Sequence, residues 1–248
     1  MYSISILATG SSGNCCLISD GHTGVLVDSG INVQAIHEQH VSIWTDVQAV
    51  LLTHEHADHA RYAKYFAERY AKPIYATRGT FSALNVPVFA QHTVHYSQWF
   101  EIGTLKIMPI PLSHDANEPC GYYIANQLKE TIAFISDTGT VDGAEIEADC
   151  YMIEANYDED ILSGRLESGE LYAGLHARLS SEFGHLSIQQ ASEWLSHNAH
   201  KDSHIILMHK SQDNAQRFAA FDNYSNVTVP DIRGRLQYRF GTDDRCPF

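Results

Sequence analysis

The 248-residue sequence predicts a mixed α/β fold, with two β-sheets and helices packed outside them. Short β-type runs outnumber helical ones early in the chain. Helical patterns then interleave with further β-type runs, and the alternation recurs in both halves.

Ser3–Ala8 alternates isoleucine with small residues, and Cys15–Ser19 and Val25–Asp28 are further short β-type runs joined by Gly-rich turns. Ile31–His40 predicts a helix. Ala49–Thr53 (Ala-Val-Leu-Leu-Thr) is a compact apolar run that suits a buried strand. Ala57–Tyr70 has a helical pattern, with Tyr62, Phe66 and Tyr70 at four-residue spacing. Pro73–Ala76 opens another strand, and Leu105–Ile110 and Gly121–Ile124 follow. Thr131–Ser136 and Tyr151–Glu154 are apolar strands, each leading into an acidic loop. Ile188–His197 predicts a helix and His204–Met208 a strand, while residues 160–183 resist placement by pattern. No Pro/Gly/Ser linker, repeat or low-complexity tract interrupts the chain, so 1–248 reads as one domain.

Composition excludes several function classes. Sixteen Lys and Arg against thirty Asp and Glu give a formal net charge of −14. Such a body repels nucleic acid and anionic membrane at long range, so a polyanionic substrate needs local features to hold it. The five cysteines (Cys15, Cys16, Cys120, Cys150, Cys246) are odd in number and show no CxxC spacing. That argues against a disulfide framework or structural zinc and for reduced thiols in a cytoplasmic protein. Met1–Gly10 lacks a basic region before its short apolar run and does not read as a signal peptide. No apolar stretch approaches the roughly 18 residues a membrane span needs. Fifteen histidines, several beside aspartates, direct attention to metal chemistry.

The segment Thr53-His54-Glu55-His56-Ala57-Asp58-His59 carries that chemistry. An apolar strand ends at Thr53. His54 and His56, two apart on extended backbone, project to the same side. Asp58 and His59 fall in the first turn of the helix that follows and can point back toward the strand end. Imidazole and carboxylate together suit zinc, manganese or iron. The segment is not HExxH, because the residue four after His54 is Asp58.

HxHxDH resembles the signature of the metallo-β-lactamase superfamily, whose fold is an αββα four-layer sandwich with two mixed β-sheets flanked by helices. The resemblance extends to landmarks in the same order: Asp28 in Val-Leu-Val-Asp-Ser-Gly, His114 in Pro-Leu-Ser-His-Asp-Ala, Asp137 in Phe-Ile-Ser-Asp-Thr-Gly, and His209 after Ile-Ile-Leu-Met. It implies two divalent ions, manganese or zinc. One would sit on His54, His56 and His114, the other on Asp58, His59 and His209, with Asp137 bridging. Asp28 would orient a ligand histidine from behind.

Flanking segments resemble the YycJ-type subgroup, also called WalJ or VicX. They are Leu7-Ala-Thr-Gly-Ser-Ser-Gly-Asn14, Ser113-His-Asp-Ala-Asn-Glu-Pro-Cys-Gly121, Glu154-Ala-Asn-Tyr-Asp158 and Gly184-His-Leu-Ser187. That subgroup implies a 5′→3′ exonuclease acting on double-stranded DNA. A hydroxide bridging the metals would attack phosphorus, with Asp58 orienting it and His185 stabilising or protonating the leaving oxygen. Gly10–Asn14 reads either as a hairpin turn or as a phosphate-holding loop using Ser11, Ser12 and Asn14. His185 reads as a helix-start surface residue or as a substrate contact, Asn156 as a structural turn residue. Arg233-Gly-Arg-Leu-Gln-Tyr-Arg239 reads as a solvated face or a phosphate-tracking contact. Two rival functions stay open. One is a small-molecule hydrolase (cyclic-nucleotide phosphodiesterase, lactonase or thioesterase), which the acidity favours. The other is a non-catalytic regulatory partner, against which the full ligand set speaks. No stable protein partner and no membrane association is inferred.

Overall fold

The strands form two seven-stranded sheets in a computed structural model that describes residues 1–141, 145–215, 218–231 and 236–241. The first sheet holds β1 (Tyr2–Ala8), β2 (Cys15–Ser19), β3 (Gly24–Val27), β4 (Ala49–Leu51), β5 (Ile74–Ala76) and β6 (Gln91–Thr93). The second holds β7 (Phe100–Ile102), β8 (Leu105–Pro111), β9 (Cys120–Ala125), β10 (Thr131–Ile135), β11 (Cys150–Glu154), β12 (His204–Met208) and β13 (Asn226–Thr228). The last strand, β14 (Leu236–Phe240), returns to the first sheet and pairs antiparallel with β1. In each sheet the early strands run antiparallel. The later ones, from β3 through β6 and from β10 through β13, are parallel.

Successive side chains on a strand point to opposite faces, and here both faces are covered. Val25 and Val27 join Ile4, Tyr122, Ile124 and Met152 in the core between the sheets, while Leu26 points out to a second cluster. In β12, Ile206 and Met208 face the other sheet, and Ile205 and Leu207 face outward. This double burial is why central strands such as β3, β4, β10 and β12 read as nearly continuous apolar runs without polar alternation. Each fully buried Leu, Ile or Phe side chain contributes roughly 1.5–3 kcal/mol.

Helices α1 (Val33–His37), α3 (Ala63–Tyr70) and α4 (Arg78–Ala83) cover the first sheet through Ile36, Phe66 and Phe81. The short α2 (Ala57–Ala60) precedes α3. On the second sheet, α7 (Ile188–Asn198) packs Ile188, Ala191, Trp194 and Leu195 inward. Its start is fixed by a capping box between Ser187 and Gln190. The layers therefore run helix, sheet, sheet, helix, as the sequence predicts.

Three local expectations differ from the structure. The predicted helix over 31–40 shrinks to five residues, capped by the Asn32 side chain. The predicted helix over 57–70 is two helices, because Tyr62 N–H leaves the helical ladder and donates to Ser29 O at 3.0 Å. The unplaced stretch 160–183 contains α5 (Glu159–Glu167) and α6 (Ala173–Leu179). Among them only Leu162 is buried, so no amphipathic stripe announces them.

Candidate metal centre

Parallel strands of both sheets end at one place. β3 delivers Asp28, β4 delivers Thr53 and His54, β10 delivers Asp137, β11 ends in Glu154 and β12 delivers His209. Open α/β sheets build sites at such carboxyl ends. Asp28, Asp137 and His209 all adopt left-handed backbone, with φ of 64°, 56° and 48°. Non-glycine residues rarely do so, and each turns the chain out of its strand so that the side chain points back over the strand ends.

The predicted ligands come together in two groups. His54, His56 and His114 offer nitrogens within 4.8 Å of one another, and so do the ligand atoms of Asp58, His59, Asp137 and His209. Asp137 lies between the groups. Its Oδ2 is 3.1 Å from His59 Nε2 and 3.8 Å from Nε2 of both His54 and His114.

Each imidazole is held from behind, which fixes which nitrogen faces the cage. His59 Nδ1–H donates to Asp28 Oδ2 at 2.7 Å. His54 Nδ1–H donates to Thr53 Oγ1 at 3.0 Å, and that hydroxyl donates on to Asp28. Asp28 also accepts Thr53 N–H, so one buried carboxylate aims two histidines. His114 Nδ1–H donates to Gly184 O at 2.9 Å. His56 Nε2–H donates to Asp115 O at 3.2 Å and leaves Nδ1 as its free lone pair. His209 Nδ1–H donates to Glu154 Oε1 at 2.9 Å.

Whether divalent cations fit can be tested on these atoms. Nε2 of His54 and Nε2 of His209 are buried and have no hydrogen-bond partner. An unpaired buried nitrogen is costly unless something accepts its lone pair. The electrostatics point the same way. Burial opposes charge on Asp137, yet the His209 and His59 imidazoles hold it well below the usual carboxylate range. Burial also opposes charge on His209, but Asp137, Asp58 and Glu154 push it up to about 10. Burial drives His54 down, reinforced by His59. The cage thus demands positive charge at its centre, which a divalent cation would supply in place of the proton that the carboxylates hold on His209, and imidazole nitrogens beside carboxylates are the donor set of a divalent-metal site.

Glu154 was not singled out by the sequence reading. It is fully buried, and its Oε1 accepts from both His209 and His185, the latter at 2.7 Å. Its Oε2 accepts the backbone N–H of Thr138 at 2.9 Å and of Leu186 at 3.3 Å. A signal was available: Glu154 ends an apolar strand, as Asp28 and Asp137 do. Thr53 and Asp115 were also missed. Asp115 approaches His114 Nε2 at 3.2 Å and is paired with Arg178 of α6.

His185 lies beside the cage, its ring stacked on His209 at 5.2 Å and 5.3 Å from His114. Burial lowers its pKa, but Glu154 outweighs burial and leaves it raised. A cavity of about 340 Å³ opens beside His185 and His209 and is lined further by Ser11, Ser12, Lys210 and Leu179. Asn14 is buried, its Oδ1 accepts Gly10 N–H, and its Nδ2 reaches Asp58 and His59. The loop turns Asn14 inward because Asn14 N–H donates to Asp58 O at 2.7 Å. Asn156 donates to His209 O at 2.7 Å and so supports the turn after β12. Arg233, Gly234 and Arg235 lie outside the described residues. Arg239 is exposed opposite Ser3, a strand's length from the Gly10–Asn14 loop.

Comparison with known proteins gives a family match and relatives. The family model described as Beta-lactamase superfamily domain matches residues 23–209. The chain is similar to exodeoxyribonuclease YycJ of Bacillus anthracis, at 29% identity over 90% of this chain and 88% of that protein. It is 31% identical to exodeoxyribonuclease WalJ of Streptococcus pneumoniae serotype 2, strain D39, over 86% of this chain and 83% of that protein. In fold it is similar to the metallo-β-lactamase fold protein YhfI from Bacillus subtilis, with a TM-score of 0.73 and 17% identity over 96% of this chain and 100% of that one.

Proposed function

The chain belongs to the β-lactamase superfamily and is a metal-dependent hydrolase, and on that premise we propose that it is a dinuclear nuclease that degrades double-stranded DNA from 5′ ends. The carrying observation is the position of Asp137 between two ligand groups whose inward nitrogens on His54 and His209 are unpaired. The DNA substrate is supported by the activity named for the two relatives.

His54, His56 and His114 would hold one ion, manganese or zinc, and Asp58, His59 and His209 would hold the second, with Asp137 placed to serve both. Bound there, such a pair supplies a nucleophile from water at neutral pH and offsets charge on the phosphate. The protein's own groups do the rest. Asp58 orients the attacking water. Asp28 and Glu154 keep the ligand imidazoles aimed. His185, whose pKa Glu154 raises, gives its proton to the leaving oxygen. Ser11 and Ser12 meet the substrate from the loop edge.

The chain acts as one domain. A cytoplasmic setting fits the four described cysteines, which are buried and free. Among the described residues no helix is long and apolar enough to cross a membrane.

Digestion of end-labelled duplex DNA with manganese, magnesium or zinc tests the reading, with Asp58→Ala as control. Mononucleotides released from 5′ ends, and none from the variant, are expected. A small-molecule phosphodiesterase is the second reading, favoured by the charge of −14. Hydrolysis of bis-p-nitrophenyl phosphate or a cyclic nucleotide without any cleavage of duplex DNA would establish it instead.

A further inference from the structure

The cavity beside the cage has features that metal binding does not use. Lys210, directly after the strand that delivers His209, makes no ion pair or hydrogen bond through its side chain among the described residues. In a chain with 30 acidic and 16 basic residues, an unneutralised lysine beside the reaction centre is unusual. Ser11 and Ser12, on the facing loop, are exposed, and neither their hydroxyls nor their N–H groups are bonded within the described residues. Gln212 adds an exposed amide, and Asp213 is the one carboxylate in the lining. Leu175 and Leu179 of α6 close the apolar side.

His185 lines this cavity and also stacks on His209 of the cage. That shared wall fixes the direction of the substrate. In the proposed hydrolysis a water oxygen bonds to phosphorus and the P–O3′ bond breaks. The electron pair stays on O3′, which takes up the proton that the attacking water loses. O3′ belongs to the departing 5′-terminal nucleotide, and with the scissile phosphate on the cage, the cavity that adjoins it through His185 and His209 receives that nucleotide, its own 5′ end toward Lys210 and the serines.

We propose that this cavity is a terminal-phosphate pocket, in which Lys210, with Ser11 and Ser12, binds the 5′-phosphomonoester of the strand being degraded. A phosphomonoester carries about −1.5 to −2 charge near pH 7, more than the single charge of each internal diester. A lysine ammonium with hydroxyl and amide donors around it selects for that difference. The pocket rests on the nuclease reading and makes the enzyme selective for 5′-phosphorylated over 5′-hydroxyl ends.

The test compares initial rates on two duplexes identical except for a 5′-phosphate or a 5′-hydroxyl, using the metal-loaded full chain. The wild type is expected to favour the phosphorylated end roughly ten- to a hundred-fold, the span of one charge-assisted hydrogen bond. Lys210→Met is expected to collapse that ratio toward one, and Lys210→Arg to retain most of it. The ratio is taken within each protein, so a lower overall rate does not disturb it. Equal rates on both ends in the wild type, or an undiminished ratio in Lys210→Met, overturn the pocket and leave the nuclease reading standing. Failure to cut either duplex overturns the nuclease reading, and the pocket with it.

Discussion

Replacing Glu154 by glutamine probes the cage without touching any group proposed to meet the metals. The native carboxylate accepts four hydrogen bonds, two from His185 and His209 on Oε1 and two from backbone N–H groups on Oε2. All four partners are donors. A carboxamide offers one acceptor oxygen and one NH2, so in either orientation a donor pair faces the NH2. The two imidazole contacts are charge-assisted, each worth about 1.5–3 kcal/mol. Losing roughly half of that total predicts a destabilisation of about 1.5–3 kcal/mol. For a chain of this size, about 2–4 °C per kcal/mol translates this into a melting temperature lower by roughly 3–12 °C. His209 also loses its anchor, and groups that orient ligands typically account for about 10- to 100-fold in metal affinity. Thermal melts with and without chelator, and competition of a chromophoric chelator for zinc, measure both effects. A Glu154→Gln protein that melts at the wild-type temperature and binds zinc as tightly would show that this carboxylate neither holds the fold nor aims His209.

Asp28→Asn keeps a side chain that tolerates the φ of 64° but replaces the acceptor shared by Thr53 and His59. Metal affinity is expected to fall about 10- to 100-fold, more for the second ion bound than the first, read by stepwise calorimetric titration. Gly30→Ala is expected to abolish soluble expression, since its Cβ would lie 1.7 Å from Asp58 O, where α2 and the Gly10–Asn14 loop are tied together. A soluble, stable Gly30→Ala protein would mean that this approach is looser than described. His185→Ala is expected to keep its metal content and lose about 10²- to 10⁴-fold in turnover on DNA. The loss should be smaller on a substrate with a p-nitrophenolate leaving group, which needs no proton, and equal losses on both would exclude the proton-donor role. Chelation of the wild type is expected to lower stability by about 2.7 kcal/mol relative to metal at a hundred times its dissociation constant. Indifference of the melt to chelator would count against the unpaired nitrogens of His54 and His209 as ligands.

The sequence by itself determined the mixed α/β class, most strand positions and the His-x-His-x-Asp-His cluster, while the four-layer arrangement and the remaining ligands were implied by the family resemblance. The first set of signals is local. An apolar run ending in His-x-His-x-Asp-His puts four donors on adjacent turns of one strand–helix junction whatever the rest of the chain does. Asp28, Asp137 and His209 likewise stand at the ends of runs whose burial on both faces is visible as unbroken hydrophobicity.

What only the tertiary structure decided depends on contacts between distant segments. The break between α2 and α3 at Tyr62 comes from a bond to Ser29, on another segment. The inward turn of Asn14 comes from Asp58, 44 residues away. Glu154 matters because β10, β11 and β12 lie side by side, which brings Thr138, Leu186, His185 and His209 around one carboxylate. His209 itself is fastened by Thr9, 200 residues earlier. α5 and α6 carry too few buried side chains to leave a periodic trace, and they are placed by the small cluster of Leu162, Leu171 and Tyr157 that they share. Periodicity records which face of an element is buried, but not which remote donor a buried acceptor will meet.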